Sequence, residues 1–546
     1  MLSIRTLLLL CVTSATSLAY PGKSHRAFDD LVVRTNLFSV QGIQWPNSTD
    51  VRFFGGIPYA EPPVGSARFQ PPITKKPVVE TIDASWFGPS CIQYNSGAAT
   101  VYSQNLTGFL LSPGQQQSED CLTLNVWAPR GRQAYSAEST GLLPVMIWIH
   151  GGGFTSGGAA KCDRRSVELF GSASATGHQC NGISLGESQH SYPIDAIVWT
   201  AVSGPLTGGF HTTAAADHFS YRLNIFGYPN AAALEGGNLN PGLLDQRKAV
   251  EWVYQNIHAF GGDAEQMVLF GQSAGAQAVD KYAYAWAFDP LVKGFIPQSG
   301  SAADSSSTDS QHTNFTHVAS QVGCTANSKD EELACMQKAN ATAIIEVYNK
   351  YNASLNGGNS LSFAPSPDNI TSFGNYTDRR ARGLCARLPT LVTQTNNEGA
   401  SLVAFDPAGP NQTAVDAFTL LRMTCPQSQS ALARADYDVP VWRTRYFGEW
   451  PNVNPYSWLG AYHSSDLPMV FATSELLGPN TPAEAATSQY MQDAWGAFAR
   501  DPVNGLVEYG WPKYDPNADT LIKLGFENHT AAVFGPGDEY DSGCPQ

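Results

Sequence analysis

The sequence predicts an α/β fold: a mostly parallel central sheet flanked by helices, with long excursions over one face. Three observations predict it. The apolar run Met267-Val268-Leu269-Phe270 ends in Gly271-Gln272-Ser273-Ala274-Gly275 and passes into small, helix-compatible residues, which is the pattern of a strand turning sharply into a helix. A second apolar run, Pro144-Val145-Met146-Ile147-Trp148-Ile149, ends in His150-Gly151-Gly152-Gly153-Phe154 and reads as a buried strand opening into a glycine loop. The residues able to complete the chemistry of Ser273 lie near positions 150, 398 and 463, so the intervening chain must return to a common sheet.

Taken along the chain, the first element is a leader. Residues 1–19 combine Arg5, the apolar run Leu7 to Val12 and Ser17-Leu18-Ala19, which reads as a signal peptide cleaved before Tyr20. The remainder, 20–546, reads as one domain, because no internal repeat, low-complexity tract or Pro/Ser-rich linker divides it. No later stretch approaches the roughly 18 apolar residues of a membrane span, and the C-terminal Gly535-Pro536-Gly537-Asp538-Glu539-Tyr540 is too polar for a lipid-anchor signal. An extracellular protein is expected, carrying N-linked glycans at some of the sequons at Asn47, Asn105, Asn314, Asn340, Asn352, Asn369, Asn375, Asn411 and Asn528. The net charge of -15 argues against a nucleic-acid partner.

The glycine run at 151–153 lacks side chains that would block its amides, so the N–H groups of Gly152 and Gly153, with that of Ala274, are candidate donors to a developing oxyanion. Gly271 and Gly275 remove Cβ atoms from a crowded turn and leave the Ser273 hydroxyl projecting, the arrangement of a nucleophile; a serine that merely caps the next helix is the competing reading. Pro389-Thr390-Leu391-Val392 reads as a strand, and Glu398 follows at its end as the best candidate to orient a base, with Asp406 and Asp466 as fallbacks. For the base itself, four histidines follow Ser273. His312 and His317 lie in a polar, Ser/Thr-rich stretch and His529 lies inside a sequon, which leaves His463 in a loop leading into apolar sequence.

Beyond these residues, long blocks of the chain resemble one family, the type-B carboxylesterases and lipases related to the cholinesterases, and most nearly its secreted fungal members. Phe54-Gly55-Gly56-Ile57-Pro58-Tyr59-Ala60-Glu61-Pro62-Pro63-Val64-Gly65 with Arg68-Phe69 is similar to the family's opening block. Ser118-Glu119-Asp120-Cys121-Leu122-Thr123-Leu124-Asn125-Val126-Trp127 resembles its second signature. Asn240 to Gln246, Phe260-Gly261-Gly262-Asp263 and Trp511-Pro512-Lys513-Tyr514 match as well. The resemblance implies the α/β-hydrolase fold, hydrolysis of carboxylic esters without a metal or cofactor, and Ser273, Glu398 and His463 as nucleophile, acid and base. It also implies disulfides Cys91 to Cys121 and Cys324 to Cys335, and an ion pair between Arg68 and Glu119. Ten cysteines less Cys11 of the leader leave an odd nine, so at least one is unpaired within the chain; Cys162 with Cys180 and Cys385 with Cys425 are the further pairings considered.

Two departures bear on function. The stretch 161–219, before Tyr221-Arg222-Leu223, is long and irregular, with Ala196 to Val202 as the expected strand; translated intron from a faulty gene model is one origin and a genuine insertion the other. The loop from Cys91 to Cys121 contains no tryptophan to stack on a quaternary ammonium, and Gln272 stands where many relatives have glutamate, so a cationic choline ester is disfavoured. An uncharged small-molecule or lipid ester is the expected substrate. The rival expectations are a non-catalytic binding or adhesion protein of the same fold, or an inactive product of a faulty gene model around 161–219.

Overall fold

The computed structural model describes residues 30–45, 51–95, 97–111, 115–130, 141–159, 215–303, 309–353 and 360–545. The expected leader, Cys162, Cys180, Asn47 and the expected strand Ala196 to Val202 lie outside the described residues.

A single sheet organises the chain. Its strands, in chain order, are β1 (Ile43–Gln44), β2 (Val51–Pro58), β3 (Thr123–Pro129), β4 (Leu143–Ile149), β5 (Ala215–Phe219), β6 (Gly262–Gln272), β7 (Gly294–Gln298), β8 (Thr390–Thr395), β9 (Val441–Tyr446), β10 (Leu521–Leu524) and β11 (Val533–Gly535). The spatial order is β1-β2-β3-β5-β4-β6-β7-β8-β9-β10-β11. From β5 through β10 neighbouring strands run parallel, while β1 to β3 and β11 close the two edges with antiparallel pairs. Strands β4, β7, β8 and β9 are buried along their whole length, as expected where helices cover both faces of a parallel sheet. The chain therefore has the α/β-hydrolase fold, with the apolar runs at 144–149 and 267–270 forming β4 and β6.

The strand leading to Tyr221 is β5, placed between β3 and β4, antiparallel to the first and parallel to the second. Behind it, the helix α1 (Pro241–Asn256) opens with a proline at its first position, where the missing N–H costs nothing. Arg222 donates to both carboxylate oxygens of Asp245 on this helix at 2.8 and 2.7 Å, both side chains being buried. The geometry is bidentate, the form in which a buried pair offsets most of its desolvation. Arg68 likewise grips both oxygens of Glu119 at 2.6 and 2.7 Å and donates to the carbonyls of Met336 and Ala339, tying the opening block to the second signature.

Cys91 is bonded to Cys121 and Cys324 to Cys335. The pairing considered for Cys425 is corrected: it joins Cys544, and Cys385 is free. The reason lies in the C-terminal segment, which returns along the helix α2 (Cys425–Ala435). Asp541 accepts from Ser428 of α2 at 2.6 Å and from both terminal nitrogens of Arg443 on β9 at 2.7 Å, setting Cys544 beside Cys425.

Candidate active site

β6 carries Ser273 to the C-terminal edge of the parallel strands, the side on which open α/β sheets bind ligands. Its backbone has φ 58° and ψ -122°, a conformation non-glycine residues rarely adopt and that costs on the order of 1–3 kcal/mol. The turn is tight because the next helix, α3 (Ala274–Ala285), starts at once. A Cβ on Gly275 would lie 1.9 Å from the carbonyl oxygen of Ile149, and one on Gly271 would lie 2.7 Å from the same atom. Only glycines fit against the end of β4. The Ser273 amide donates to the carbonyl of Gln298 at 2.9 Å, while its side chain makes no capping bond to α3, so the serine does not act as a helix cap.

The glycine loop runs directly past the elbow. A Cβ on Gly151 would approach the Ser273 Cβ to 3.1 Å, and Gly152 and Gly153 adopt positive φ of 107° and 62°. Thr155 and Ser156 donate their amides to the Gly152 carbonyl at 3.0 Å, which engages that oxygen in the loop's own turn. Gly152 and Gly153 are exposed, and no acceptor among the described residues takes their N–H groups. His150 braces the loop, stacking on Tyr221 with centroids 4.4 Å apart and accepting the Tyr221 hydroxyl at its carbonyl at 3.0 Å.

Glu398 and His463 meet on the other side. Glu398 opens a 3-10 turn after β8, and His463 follows β9 in a separate loop. The two loops are joined by a bridge between Asn397 and Tyr462, in which the Asn397 amide donates to Ala461 at 2.8 Å. His463 Nδ1 lies 2.5 Å from Glu398 Oε2, and the Thr395 amide donates to Glu398 Oε1 at 2.8 Å. Burial alone raises the Glu398 carboxyl, but the facing imidazole and the Thr395 amide outweigh it and hold the group below the usual carboxylate range. An ionised acceptor on Nδ1 fixes the proton there and leaves Nε2 bare.

The fallbacks are not in that position. Asp406 is exposed and caps a turn at Ala408. Asp466 is buried but accepts from Gln298 Nε2 at 3.2 Å, and its carboxyl is pushed up to about 6 by burial and by the nearby charge of Glu398. Among the other histidines, His312 is engaged by Asn230 and His317 packs on Tyr351. Among the described residues, no cluster of histidine, cysteine, aspartate and glutamate is arranged to hold a metal ion.

The contacts of three residues, Gln272, Tyr102 and Gln298, escape the sequence. Gln272 Nε2 lies 3.1 Å from His463 Nε2. Tyr102, inside the Cys91 to Cys121 loop, donates to the His463 carbonyl at 2.7 Å and lies 2.9 Å from Ser401 Oγ in the turn of Glu398. Gln298 accepts the Ser273 amide with its backbone and bonds Asp466 with its side chain. The side-chain partners among them lie 168 to 361 positions apart and leave no local signal.

Comparison with known proteins supplies the wider setting. The model of the carboxylesterase family matches residues 29–168, 218–416 and 406–535 of this chain, leaving most of the irregular stretch unmatched. A chlorogenic acid esterase of Aspergillus niger is 36% identical over 97% of this chain and 97% of its own length. Secreted lipase 5 of Gibberella zeae is 35% identical over 90% of this chain and 89% of its own. Among solved structures, a thermophilic PNB esterase superimposes with a TM-score of 0.68 at 24% identity, covering 94% of this chain and 98% of its own.

Proposed function

The chain belongs to the carboxylesterase family, with the fold and relatives of a carboxylic ester hydrolase, and we propose that within it this protein is a secreted serine esterase using Ser273, His463 and Glu398. The observation that carries this reading is the buried His463–Glu398 pair beside a strained serine elbow that the glycine loop overhangs. His463 takes the Ser273 proton as Oγ attacks the ester carbonyl. The amides of Gly152, Gly153 and Ala274 then receive the oxyanion, each well-placed donor contributing about 3–4 kcal/mol. The proton passes to the departing alkoxide, leaving an acyl-serine, and water repeats the sequence to release the acid.

The substrate class we infer is an uncharged carboxylic ester. Chlorogenic acid is the first compound to test and a water-insoluble acylglycerol the second, because the two relatives near 35% identity are named for an esterase and a lipase. Turnover of p-nitrophenyl esters over a range of acyl lengths, with and without an oil interface, separates the two, and Ser273→Ala should abolish both. Equal rates in wild type and Ser273→Ala would remove the serine mechanism and leave the binding-protein reading.

Export rests on the leader, and 20–546 is proposed as one mature domain. Asn105, Asn340, Asn369, Asn375, Asn411 and Asn528 are exposed acceptors for glycans, whereas the Asn352 carboxamide is used internally, donating to the Tyr94 hydroxyl and the Leu361 carbonyl at 3.0 Å. The gap in the family match over 169–217 favours an unusual origin for that stretch. Peptides from residues 165–215 in mass spectra of the secreted protein would show that it is translated and retained.

A further inference from the structure

The carboxamide of Gln272 sits where the proposed base needs its lone pair free. Gln272 ends β6, is 4% exposed, and its Nε2 lies 3.1 Å from His463 Nε2. Its Oε1 lies toward the glycine loop, 3.0 Å from where a Cβ on Gly151 would stand. Across the ring, Nδ1 faces a carboxylate that only accepts, so the proton resides on Nδ1 and Nε2 offers one in-plane lone pair. A carboxamide N–H aimed at that lone pair occupies it. Among the described residues no hydrogen bond joins Ser273 Oγ to His463, so the resting imidazole is satisfied by an amide rather than by the serine hydroxyl.

We propose that Gln272 is a positioning residue that caps His463 in the resting enzyme and turns its carboxamide during turnover, donating to the neutral ring and accepting from the imidazolium. This inference rests on the reading of Ser273 and His463 given above. When the Oγ–C bond forms, the Ser273 proton moves to His463 Nε2, and the new N–H meets an amide N–H that no longer suits it. A half-turn about the terminal carboxamide bond, whose torsion is broad and roughly two-fold, presents Oε1 as acceptor. When the ester C–O bond breaks, the proton leaves with the alkoxide oxygen and the carboxamide turns back. An amide serves both protonation states without adding charge, whereas a carboxylate can only accept and an apolar side chain can do neither. The other groups facing His463 are Glu398 on Nδ1, Asp466 three residues along its loop and the Tyr102 hydroxyl on its carbonyl. None of them changes when Gln272 is replaced.

The test compares the full-length wild type with Gln272→Glu, Gln272→Met and Ser273→Ala. Two quantities are read: the pH dependence of kcat/KM for a neutral p-nitrophenyl ester, and the rate of phosphonylation by an uncharged phosphonate ester. In Gln272→Glu the acid limb should move upward by about one pH unit or more, the ordinary effect of an opposite charge at hydrogen-bonding distance. In Gln272→Met, which can neither donate to the neutral ring nor accept from the imidazolium, phosphonylation should slow by about fivefold, because the charge-assisted bond lost outweighs the neutral one released. An unmoved acid limb in the first, or phosphonylation as fast as wild type or faster in the second, overturns the inference. If thermal unfolding shows one variant unfolded, the other decides alone. Ser273→Ala should be inert in both assays. Activity in that variant would sink the serine reading itself, whereas an inert Ser273→Ala with unmoved Gln272 variants removes only the role of Gln272.

Discussion

Tyr102 donates its hydroxyl to the backbone carbonyl of His463 at 2.7 Å, across 361 positions of sequence. The same oxygen lies 2.9 Å from Ser401 Oγ, at the end of the 3-10 turn that Glu398 begins. One side chain of the disulfide-closed loop thus holds the two segments that carry the proposed acid and base, and its ring packs edge-on against Phe109 of the same loop at 5.5 Å. The disulfide-closed loop is therefore part of the support of the site.

Replacing Tyr102 by Phe removes the hydroxyl and keeps the ring against Phe109. The expected result is a fall in kcat of about fivefold, equivalent to about 1 kcal/mol of hydrogen bonding lost from the base's loop, with KM little changed. Ser401→Ala, which leaves the bond to His463 in place, should cost less. Steady-state kinetics on both variants check the ordering; a change confined to KM would mean that Tyr102 touches substrate instead.

The two glycine sites should fail in different ways. Gly275→Ala puts a methyl 1.9 Å from the Ile149 carbonyl oxygen, so the elbow or β4 must move, and loss of both stability and turnover is expected. Gly153→Ala meets nothing nearer than Thr155 Oγ1 at 3.7 Å, but its φ of 62° is unfavourable for alanine by about 1–2 kcal/mol. Its unfolding temperature should change little while kcat drops through displacement of the loop amides. Calorimetry beside kinetics separates the two cases.

What the sequence made legible follows the range of the interaction that creates it. The elbow at Ser273 and the glycine loop at 151–153 are built from consecutive residues whose spacing reports a strand, a turn and a helix, and both stand where that spacing puts them. The sequence points to His463 by elimination among the histidines after Ser273 and to Glu398 by its place at the end of a strand, while the bond between them is a tertiary contact over 65 positions. The strand β5 gives no such signal. Its sequence, Ala215-Ala216-Asp217-His218-Phe219, carries little apolar or β-branched signal, while Ala196 to Val202 carries more. Its place between β3 and β4 comes from those neighbours. In the sequence Gln272 shows only as a missing charge, because no property of a lone glutamine announces a partner 191 positions away.

The bond between Cys425 and Cys544 closes 119 positions of chain and pins the C-terminal segment against α2 and β9. In the chain-entropy account a loop of that size is worth about 5 kcal/mol. Cys544→Ser should therefore lower the unfolding temperature by several degrees and loosen the segment around Asp541, which proteolysis near the C-terminus would register. Cys385→Ser, at a cysteine that forms no disulfide, should leave the unfolding temperature within a degree or two of wild type. Equal losses in both variants would contradict the pairing.

Asp466 gives the fold a pH dependence of its own. Burial and the charge of Glu398 push its carboxyl up to about 6, against about 3.9 in an unfolded chain. A raised acid favours the proton-bound form in the folded state. The stabilisation is thus greatest at low pH and declines as pH rises from about 4 through about 6, because the folded protein must then hold a buried carboxylate. The difference amounts to on the order of 3 kcal/mol. Asp466→Asn keeps an acceptor for Gln298 and has nothing to ionise, so its stability relative to wild type should rise between pH 4 and pH 7 and level off beyond. Unfolding temperatures of the two proteins measured across that range check the sign, and a gap that stays constant would show that the Asp466 carboxyl titrates alike in the folded and unfolded chain.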